Sequence, residues 1–509
     1  MIKIKPLILM ATLAIMIPIA FSACKKDRGN ALEPETLVSG PDLNFYALSA
    51  DGKLSLMNAK NPGTTTSQVT ISGLQTGESI LGIDFRPATG QLYGVGSTSR
   101  LYIIDPKTGT ARAVSTTPFS PALSAGSVAF DFNPTVDRIR LITSTGQNLR
   151  LNPETGTVAA TDGTIIGIAG AKVSSAAYTQ NRAGAATTIL FDIDSANDKL
   201  HKQDPPNDGK LVEVGALGID VEETGGFDIN PDGSTALAAL TVGGKPGLFL
   251  IDLNSGKAAK IADTNGAITG IAIPTEAIAY AVSNNNELLI FNPLSPPPSP
   301  IVKAISGIQT GENILGIDMR PVNGQLYAIG NTSRIYTINA ASGAATLVGT
   351  GPLTTLLTAT QIGFDFNPTV DRIRIVGNNG QNFRVNPLDA TLTVDGAITL
   401  ATATISGAAY TNNFAGATTT VLFDIDSTGD RLYRQDPPNA GTLVDVGPLG
   451  INVETNNGFD IGGTTGIAYG IFSVSGVQKI YTVNLTTGAA TAGATLSTAV
   501  RGFTLGLGF

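Results

Sequence analysis

Short apolar segments alternate with polar turns along most of the chain. The stretch ILGIDFRPATGQLYGVGSTSRLYIIDPKTGTARAV shows the pattern, because its apolar segment ending at Phe85 is followed by the turn RPATG, the segment QLYGV, a polar turn, the segment RLYIIDP, the turn KTG and a last segment, TARAV. Alternating apolar positions, β-branched and aromatic residues, and Gly, Asp, Pro and Asn in the turns are typical of antiparallel strands and hairpins. The pattern predicts an all-β protein.

A unit of four such strands recurs along the chain. Similar units begin near Ser127, Val173, Glu223 and Ile268, which gives about five units in the first half of the chain. Four short antiparallel strands in roughly 40 to 50 residues are typical of one blade of a β-propeller. A blade cannot bury both of its faces alone, so neighbouring blades must stack and the ring must close. We therefore predict a β-propeller fold.

The two halves of the chain are homologous. The segment FDFNPTVDRIR occurs at residues 130–140 and again, letter for letter, at residues 364–374. The longer stretches LGIDFRPATGQLYGVGSTSRLY and LFDIDSANDKLHKQDPPN also have close counterparts in the second half. We place the halves at residues 43–274 and 275–509, which predicts about ten four-stranded blades in all.

The same pattern leaves two ways to close the propeller. The junction ITGIAIPTEAIAYAVS runs from an innermost type of strand to a second type of strand through a short turn, as in the middle of one blade. This favours one continuous ring of ten blades, and two five-bladed rings stay as the alternative. In the single ring, residues 505–509 or their neighbours would pair with residues 44–49 to complete a split blade.

The N-terminus resembles a bacterial lipoprotein signal. Two lysines precede an apolar run from Pro6 to Phe21, and the run ends at Ser22-Ala23-Cys24. The resemblance implies a signal peptide at residues 1–23, a lipid on Cys24 and a location at the cell envelope, in the outer membrane. A plain secretory signal and an uncleaved helix are the alternatives.

The segment after Cys24 is polar and contains Pro and Gly. Residues 24–42 are therefore predicted to form a flexible tether that carries the lipid anchor. Charges beside the lipid-bearing cysteine resemble surface-export signals of Bacteroidetes lipoproteins, which raises surface exposure as a further expectation.

Composition and charge narrow the function classes. The chain of 509 residues has no Trp, one His and one Cys, and its formal net charge is -8. An acidic chain without basic stripes offers no footprint for nucleic acid. Zinc sites built on His or Cys and His-based catalytic triads are excluded by the same counts. We expect His201, whose counterpart is Tyr433, to be an exposed strand residue at a blade edge.

Two repeated aspartate groups are candidate metal ligands. The segments FDIDSANDK and FDIDSTGDR place three carboxylates near a turn in each half, and calcium is the cation that such oxygen clusters favour. The alternative is that the side chain of Asp194 caps a hairpin turn by bonding to the backbone two residues further on. No other cofactor is expected. The candidate calcium ligands are Asp192, Asp194, Asp198, Asp424, Asp426 and Asp430.

A repeated set of arginines and asparagines is the candidate ligand-binding patch. In VDRIRLI and QNLRLNP, alternate residues fall on one face of a strand and could bind the acidic groups of a glycan through two-point arginine contacts. The alternative is that these arginines cover the blade surface and pair with neighbouring aspartates. The candidates are Arg138, Arg140, Asn148, Arg150, Arg372, Arg374, Asn382 and Arg384.

The segments GIDFRPATGQLYGVGSTSRLY, FDFNPTVDRIR and TGQNLRLNPETG resemble the bacterial domain of unknown function 4394. The resemblance covers nearly everything after the tether, twice. It implies a propeller-like extracytoplasmic domain, and it brings no established activity and no site residues.

Three functions stay open at this point. The first is a binding module at the envelope for a glycan, a peptide or an envelope protein. The second is a carboxylate-dependent glycan hydrolase or lyase, because Asp84 and Asp131 end innermost strands near one mouth of the channel and such enzymes need two carboxylates. The third is a structural or adhesion scaffold. Binding is favoured, because the counts of His, Cys and Trp remove much of the usual catalytic chemistry.

Overall fold

The computed structural model describes residues 37–295 and 299–509, and the side chains of residues 455–457 are left out of the description. These residues form forty β-strands and two 3-10 helices, Pro206–Asp208 and Pro438–Ala440. The predicted all-β class is therefore confirmed. The predicted signal peptide and Cys24 lie outside the described residues. Within the described ranges, no helix has the length and apolar character needed to span a membrane.

The strands of the first half form five four-stranded antiparallel sheets, with the orders β20-β1-β2-β3, β4-β5-β6-β7, β8-β9-β10-β11, β12-β13-β14-β15 and β16-β17-β18-β19. Their bounds are β1 Asn44–Ser49, β2 Lys53–Asn58, β3 Thr65–Thr70, β4 Ile80–Arg86, β5 Gln91–Gly96, β6 Arg100–Ile104, β7 Ala111–Ala113, β8 Val128–Asn133, β9 Arg138–Thr143, β10 Asn148–Asn152, β11 Thr157–Thr161, β12 Val173–Tyr178, β13 Leu190–Asp194, β14 Lys199–Gln203, β15 Leu211–Ala216, β16 Glu223–Ile229, β17 Ala236–Val242, β18 Lys245–Ile251, β19 Ala258–Asp263 and β20 Ile268–Ala272.

The second half repeats this arrangement, with the orders β40-β21-β22-β23, β24-β25-β26-β27, β28-β29-β30-β31, β32-β33-β34-β35 and β36-β37-β38-β39. The bounds are β21 Ala279–Ser283, β22 Glu287–Phe291, β23 Ile301–Ala304, β24 Ile314–Arg320, β25 Gln325–Gly330, β26 Ile335–Ile338, β27 Ala345–Val348, β28 Ile362–Asn367, β29 Arg372–Gly377, β30 Asn382–Val385, β31 Leu392–Val394, β32 Ile405–Tyr410, β33 Leu422–Asp426, β34 Arg431–Gln435, β35 Leu443–Pro448, β36 Thr455–Ile461, β37 Ala468–Val474, β38 Val477–Val483, β39 Ala490–Thr495 and β40 Val500–Leu505.

Burial falls from the first strand of each blade to the last. The innermost strand β12 is buried along its whole length, because neighbouring blades cover both of its faces. The outermost strands β3 and β11 are mostly exposed and carry threonines. Several outermost strands are also short, such as β7 with 3 residues, which limits the free edge available to another chain. This gradient explains why the sequence shows apolar strands and polar strands in a fixed order.

The innermost strands close two separate rings. In the first half, β4, β8, β12, β16 and β20 contact one another in sequence, and β20 returns to β4. In the second half, β24, β28, β32, β36 and β40 do the same, and β40 returns to β24. The ten predicted four-stranded blades are confirmed, but the preference for one continuous ring was wrong. The protein is a pair of five-bladed rings.

Each ring is closed by strands from the two ends of its own half. β1 pairs with β20, with Ala47 opposite Ile271, and β21 pairs with β40, with Ala281 opposite Phe503. The predicted pairing between the two ends of the whole chain is therefore wrong. Each half begins with a second strand and ends with an innermost strand, so the junction resembles the middle of one blade although it joins two rings.

The connection between the rings is residues 273–278, which can span about 20 Å at roughly 3.3 Å per residue. The amide of Ile273 donates to Asp228 in the first ring, and the carbonyl of Ile278 accepts from Gly506 in the second.

At the other end of the first ring, the amide of Val38 donates to the carbonyl of Lys260 at 2.8 Å. The packed chain therefore starts before residue 42, where the predicted tether ends.

Equivalent turns of the two halves meet where the rings touch. A terminal nitrogen of Arg86, which precedes the β4–β5 turn, lies 3.2 Å from the carbonyl oxygen of Asn323 in the β24–β25 turn. The amide of Gly508 donates to the carbonyl of Thr89, and a Cβ on Gly508 would lie 2.0 Å from the Gly90 carbonyl oxygen. Glycine is therefore required at residue 508 for the rings to approach this closely.

Candidate functional site

Three aspartates lie at the same position of the innermost strands in each ring. In the first ring they are Asp84, Asp131 and Asp228, and the other two blades carry Ala177 and Ala272 at that position. One oxygen from each of the three carboxyl groups lies within 4.8 Å of the other two. All three side chains are buried, at 1% exposure. We call this group the first carboxylate cluster.

The second ring has the same arrangement. Its aspartates are Asp318, Asp365 and Asp460, also with one oxygen each within 4.8 Å of the others. One position of the innermost strands differs between the rings, because Thr504 stands where the first ring has Ala272. We call the three aspartates the second carboxylate cluster.

Each aspartate joins its own blade to the next one. The amide of Phe132 donates to Asp84 at 2.7 Å, and the amide of Tyr178 donates to Asp131 at 3.0 Å. In each case the donor is the residue that follows the aligned position of the neighbouring innermost strand. Carboxyl groups that accept backbone N–H bonds in this way join neighbouring blades directly, and a hydrogen bond between uncharged groups contributes about 0.5–1.5 kcal/mol.

The amides of the second ring donate in the same pattern. Phe366 donates to Asp318 at 2.7 Å, and Tyr410 donates to Asp365 Oδ1 at 3.0 Å. Asp365 Oδ2 has no hydrogen-bond partner among the described residues, although the residue is only 1% exposed. A buried carboxylate oxygen without a partner is costly, so this atom needs a proton or a ligand.

Thr504 bridges the other two carboxyl groups of the second cluster. Its Oγ1 lies 2.8 Å from Asp318 Oδ1 and 3.0 Å from Asp460 Oδ2. A hydroxyl group has one hydrogen, so it can donate to only one of these oxygens. For both contacts to be hydrogen bonds, one of the carboxyl groups must be protonated and donate to Thr504.

Burial and mutual repulsion raise the pKa of these carboxyl groups. Burial, and then the charge of Asp228, raise the pKa of Asp84 well above its usual range. Burial raises the pKa of Asp228 to about 7 and that of Asp460 to about 6, against backbone hydrogen bonds that lower them. Two unit charges at 4 Å repel by about 4 kcal/mol at an effective dielectric constant of roughly 20, so three bare carboxylates must be neutralised by protons or by a cation.

The sequence identified part of these clusters. Asp84 and Asp131 were singled out as carboxylates at the end of innermost strands, but Asp228, Asp365 and Asp460 were missed as members of the same groups. The repeated signal is an aspartate between two apolar residues at the end of the first strand of a blade, as in GFDI. The six aspartates are 1% exposed, whereas the general acid and base of a glycan hydrolase must contact the glycosidic bond.

The predicted calcium ligands occupy three different environments. Asp192 is in the middle of β13, fully buried, and neither of its oxygens has a hydrogen-bond partner in the described part of the chain. Asp194 ends that strand and accepts from the amides of Lys172 and Ala196 at 2.9 and 3.0 Å, which is the turn-capping role considered as the alternative. Asp198 accepts from the amide of Val221 at 2.8 Å.

The second copy repeats these environments. Asp424 is buried with neither oxygen bonded among the described residues, Asp426 accepts from the amides of Thr404 and Thr428, and Asp430 accepts from Val453. Neither carboxylate cluster includes any of the six predicted ligands.

The predicted exposed position of His201 was wrong. The residue is fully buried, and its Nε2 lies 3.2 Å from Asp194 Oδ2. Burial raises the pKa of Asp194, but hydrogen bonds from His201 and from backbone amides outweigh burial and lower it below its usual range. The polar face of β14 therefore turns into the blade stack rather than toward solvent.

The predicted ligand-binding patch is divided between buried and partly exposed residues. Arg140 donates to Asn148 and Asp162 at 2.7 and 2.6 Å and to Asn207 at 2.7 Å. Arg150 binds the same Asp162 carboxylate at two points. The structure thus brings Arg140, Asn148 and Arg150 together around an internal carboxylate.

Arg374, Asn382 and Arg384 form the same network around Asp395. Arg138 and Arg372 stand apart from both networks and are half-buried, and each donates to the carbonyl of the preceding residue. Arg150 and Arg384 are also half-buried, but unlike Arg138 and Arg372 they bind an internal aspartate.

A cleft lies between the two rings. It encloses a cavity of about 270 Å³, lined by Arg182 and Ala183 of the first ring, by the connection near Glu276, and by Ile290 and Phe291 of the second ring. Arg182 and Glu276 are exposed, whereas Ala183 and Ile290 are buried. The cleft therefore combines an apolar floor with one positive and one negative group at the rim.

The chain matches a known protein family in each of its two halves. The model of the family described as domain of unknown function (DUF4394) matches residues 53–272 and 287–504, one ring each. The chain belongs to this family. The tandem duplication expected from the sequence is thereby confirmed. No curated protein matches the chain.

Two solved structures share a remote similarity with the chain. Both are extracellular domains of BT4673 from B. thetaiotaomicron, described as a one-component system in one and as a hybrid two-component system in the other. The first is 11% identical with a TM-score of 0.25, and the match covers 88% of this chain and 58% of that one. The second is 10% identical with a TM-score of 0.26 and coverages of 91% and 72%. Similarity at this level says nothing about function.

Proposed function

We propose that the protein is a binding module of the bacterial cell envelope, anchored in the outer membrane by a lipid on Cys24, and that the cleft between its rings is the binding surface. The cleft is the observation that supports this proposal. It is lined by both rings and by the connection between them, so a ligand there contacts both copies of the duplicated domain at once.

The chemistry of the cleft favours a peptide segment of an envelope protein over an acidic glycan. Arg182 and Glu276 place opposite charges at the rim, and Ile278, Ile290 and Phe291 form an apolar floor. An acidic glycan would need several cations, whereas a peptide offers apolar side chains together with groups of both charges. Thr275 Oγ1 is buried without a hydrogen-bond partner among the described residues and could bond a peptide group.

A thermal-shift screen followed by calorimetry tests this function. The chain from Lys25 onward is screened against short peptides and against acidic and neutral oligosaccharides. A ligand at 100 times its dissociation constant stabilises the folded protein by about 2.7 kcal/mol. We expect a peptide to bind, and Arg182→Glu to weaken its binding at least about tenfold, since a charge reversal beside the ligand costs at least about 1.4 kcal/mol.

Arg138→Glu is the matched control, because Arg138 belongs to the predicted arginine patch and does not line the cleft. Binding that is lost in Arg138→Glu and kept in Arg182→Glu would move the site to the patch. A screen without any ligand would favour the scaffold function. The anchor is tested separately by membrane fractionation of the full chain, in which Cys24→Ser should release the protein from the membrane fraction.

A further inference from the structure

We infer that the centre of the second ring binds a divalent cation through Asp318, Asp365 and Asp460, and that Ca²⁺ is the cation that fits best. This site is distinct from the cleft and does not depend on the proposed binding function. It also differs from the aspartate groups near turns that the sequence suggested as calcium ligands.

The spacing of the second carboxylate cluster matches a single cation. One oxygen from each aspartate lies within 4.8 Å of the others. Calcium binds oxygen at 2.3–2.6 Å, so two ligands on opposite sides of one ion are at most about 5 Å apart. Three oxygens this close to one another can share one Ca²⁺ with small shifts of the side chains that carry them.

The orphaned oxygen of Asp365 points independently to a ligand. Its Oδ1 accepts from the amide of Tyr410, and its Oδ2 is buried without a hydrogen-bond partner in the described residues. The first bond fixes the carboxyl group of Asp365, a member of the cluster, and its second oxygen is left without a hydrogen bond. A cation at the ring centre would bind this atom and remove the cost of burying it unpaired.

Thr504 adds a neutral oxygen to the same place. Its hydroxyl lies within hydrogen-bond distance of both Asp318 and Asp460. Calcium accepts six to eight oxygen ligands and takes hydroxyl, carbonyl and water oxygens besides carboxylates. The second ring thus offers four side-chain oxygens, and water molecules would have to complete the six to eight ligands of Ca²⁺.

The charges favour a divalent ion. Three ionised carboxyl groups carry three negative charges, and a Ca²⁺ ion leaves one, which the surrounding backbone amides can stabilise. Magnesium demands near-ideal octahedral geometry at about 2.1 Å and keeps its water shell, so carboxyl groups held rigidly by neighbouring strands suit it less well. We therefore expect Ca²⁺ to bind more tightly than Mg²⁺.

The test measures calcium binding to the complete soluble chain. Protein treated with a chelator is titrated with CaCl₂ and with MgCl₂ at neutral pH in a calorimeter, and the bound metal is counted by native mass spectrometry. We expect Asp365→Asn to lose one bound Ca²⁺ per chain that the wild type holds. Asparagine keeps the acceptor for the Tyr410 amide and the volume of the side chain, so this variant retains the contact between blades.

Three further variants separate the site from general effects. Thr504→Val keeps the shape of the side chain and should weaken the same site several-fold. Asp131→Asn, the equivalent change in the first ring, and Asp232→Asn, an exposed carboxylate in a turn, should leave that Ca²⁺ bound. Wild-type calcium binding in Asp365→Asn, or chelator-treated wild type that takes up no Ca²⁺, would overturn the inference. If Asp365→Asn fails to fold, the Thr504→Val titration decides.

Discussion

Arg86 donates from Nε to Asp137 Oδ1 at 2.8 Å and from a terminal nitrogen to Asp137 Oδ2, which joins two neighbouring blades of the first ring by a two-point ion pair. Arg320 and Asp371 form the same pair in the second ring, at 2.8 and 2.5 Å. The two copies differ in burial, because the side chain of Asp137 is 4% exposed and that of Asp371 is 28% exposed. The turn in FDFNPTVDRIR thus presents an aspartate to the arginine of the preceding blade in both rings.

This difference predicts unequal effects of two equivalent mutations. Arg86→Ala leaves the buried carboxylate of Asp137 without its partner and should lower the free energy of unfolding by about 3–5 kcal/mol. Arg320→Ala leaves a carboxylate that water can reach, so its effect should be smaller. Denaturant unfolding of both variants checks this expectation. Equal losses would show that burial does not control the contribution of the pair.

The buried arginine network predicts that Arg140 cannot be replaced by lysine. Arg140 donates to Asn148, Asp162 and Asn207 at once. A lysine ammonium group lacks the planar fork that reaches these oxygens, so Arg140→Lys should destabilise the protein by about 2–5 kcal/mol. Arg138→Lys, on the same strand and half-buried, should change stability by less than about 0.5 kcal/mol. Thermal unfolding of the pair of variants is the measurement, and similar melting temperatures would contradict the network.

The buried carboxyl group of Asp192 leads us to expect that the free energy of unfolding depends on pH. Burial raises the pKa of Asp192 from its ordinary value of 3.8 to about 8, although the charge of Arg140 lowers it. The folded protein therefore keeps a proton that the unfolded chain loses, and the contribution of Asp192 to stability decreases as the pH rises from about 4 to about 8. Asp192→Asn removes this dependence.

The Asp192→Asn variant should therefore unfold at a higher denaturant concentration than the wild type at pH about 8, and the difference should shrink toward pH about 4. Denaturant titrations across that range test the sign. Asp232→Asn is the matched exposed control, and it should show no such gain at alkaline pH. A variant that is less stable than the wild type at pH about 8 would contradict the burial argument.

The closure of the two rings predicts which cysteine pairs can form a disulfide. Ala47 lies opposite Ile271 in the first ring, so Ala47→Cys with Ile271→Cys should oxidise to an intramolecular disulfide. Ala47→Cys with Phe503→Cys tests the pairing expected for a single ring and should leave both thiols free. Thiol counting under oxidising conditions, in a chain that starts after Cys24, distinguishes the two. Efficient oxidation of the second pair would restore the single-ring arrangement.

The sequence predicted the blades but not the way in which they close. The order of apolar and polar strands follows burial within one blade, and this order is local, so it could be read from ILGIDFR through TARAV. Ring closure depends on β1 pairing with β20, which is distant in the sequence, and the junction has the same strand order in either arrangement. The period of the strands therefore did not distinguish one ring from two.

The candidate sites show the same limit. Period-two alternation placed Arg138 and Arg140 on one face, but it could not show that Asp162 arrives from the next loop and uses the buried arginine internally. The carboxylate clusters join aspartates from three different blades, and the first and last members of one cluster, such as Asp84 and Asp228, are separated by more than a hundred residues. A single sequence places each aspartate on its strand, whereas the ring geometry brings the oxygens together.

The closing strand of each ring has a consequence for the order of assembly. β20 is the last strand of the first ring, and the amide of Ile273 makes the last of its bonds to the aspartate cluster. The first ring can therefore complete itself while the second is still being synthesised or exported. The second ring has to wait for β40, which is the last strand of the second half. A chain cut short before β40 would then leave an intact first propeller followed by an open second one, with β21 exposed as an edge for unwanted pairing.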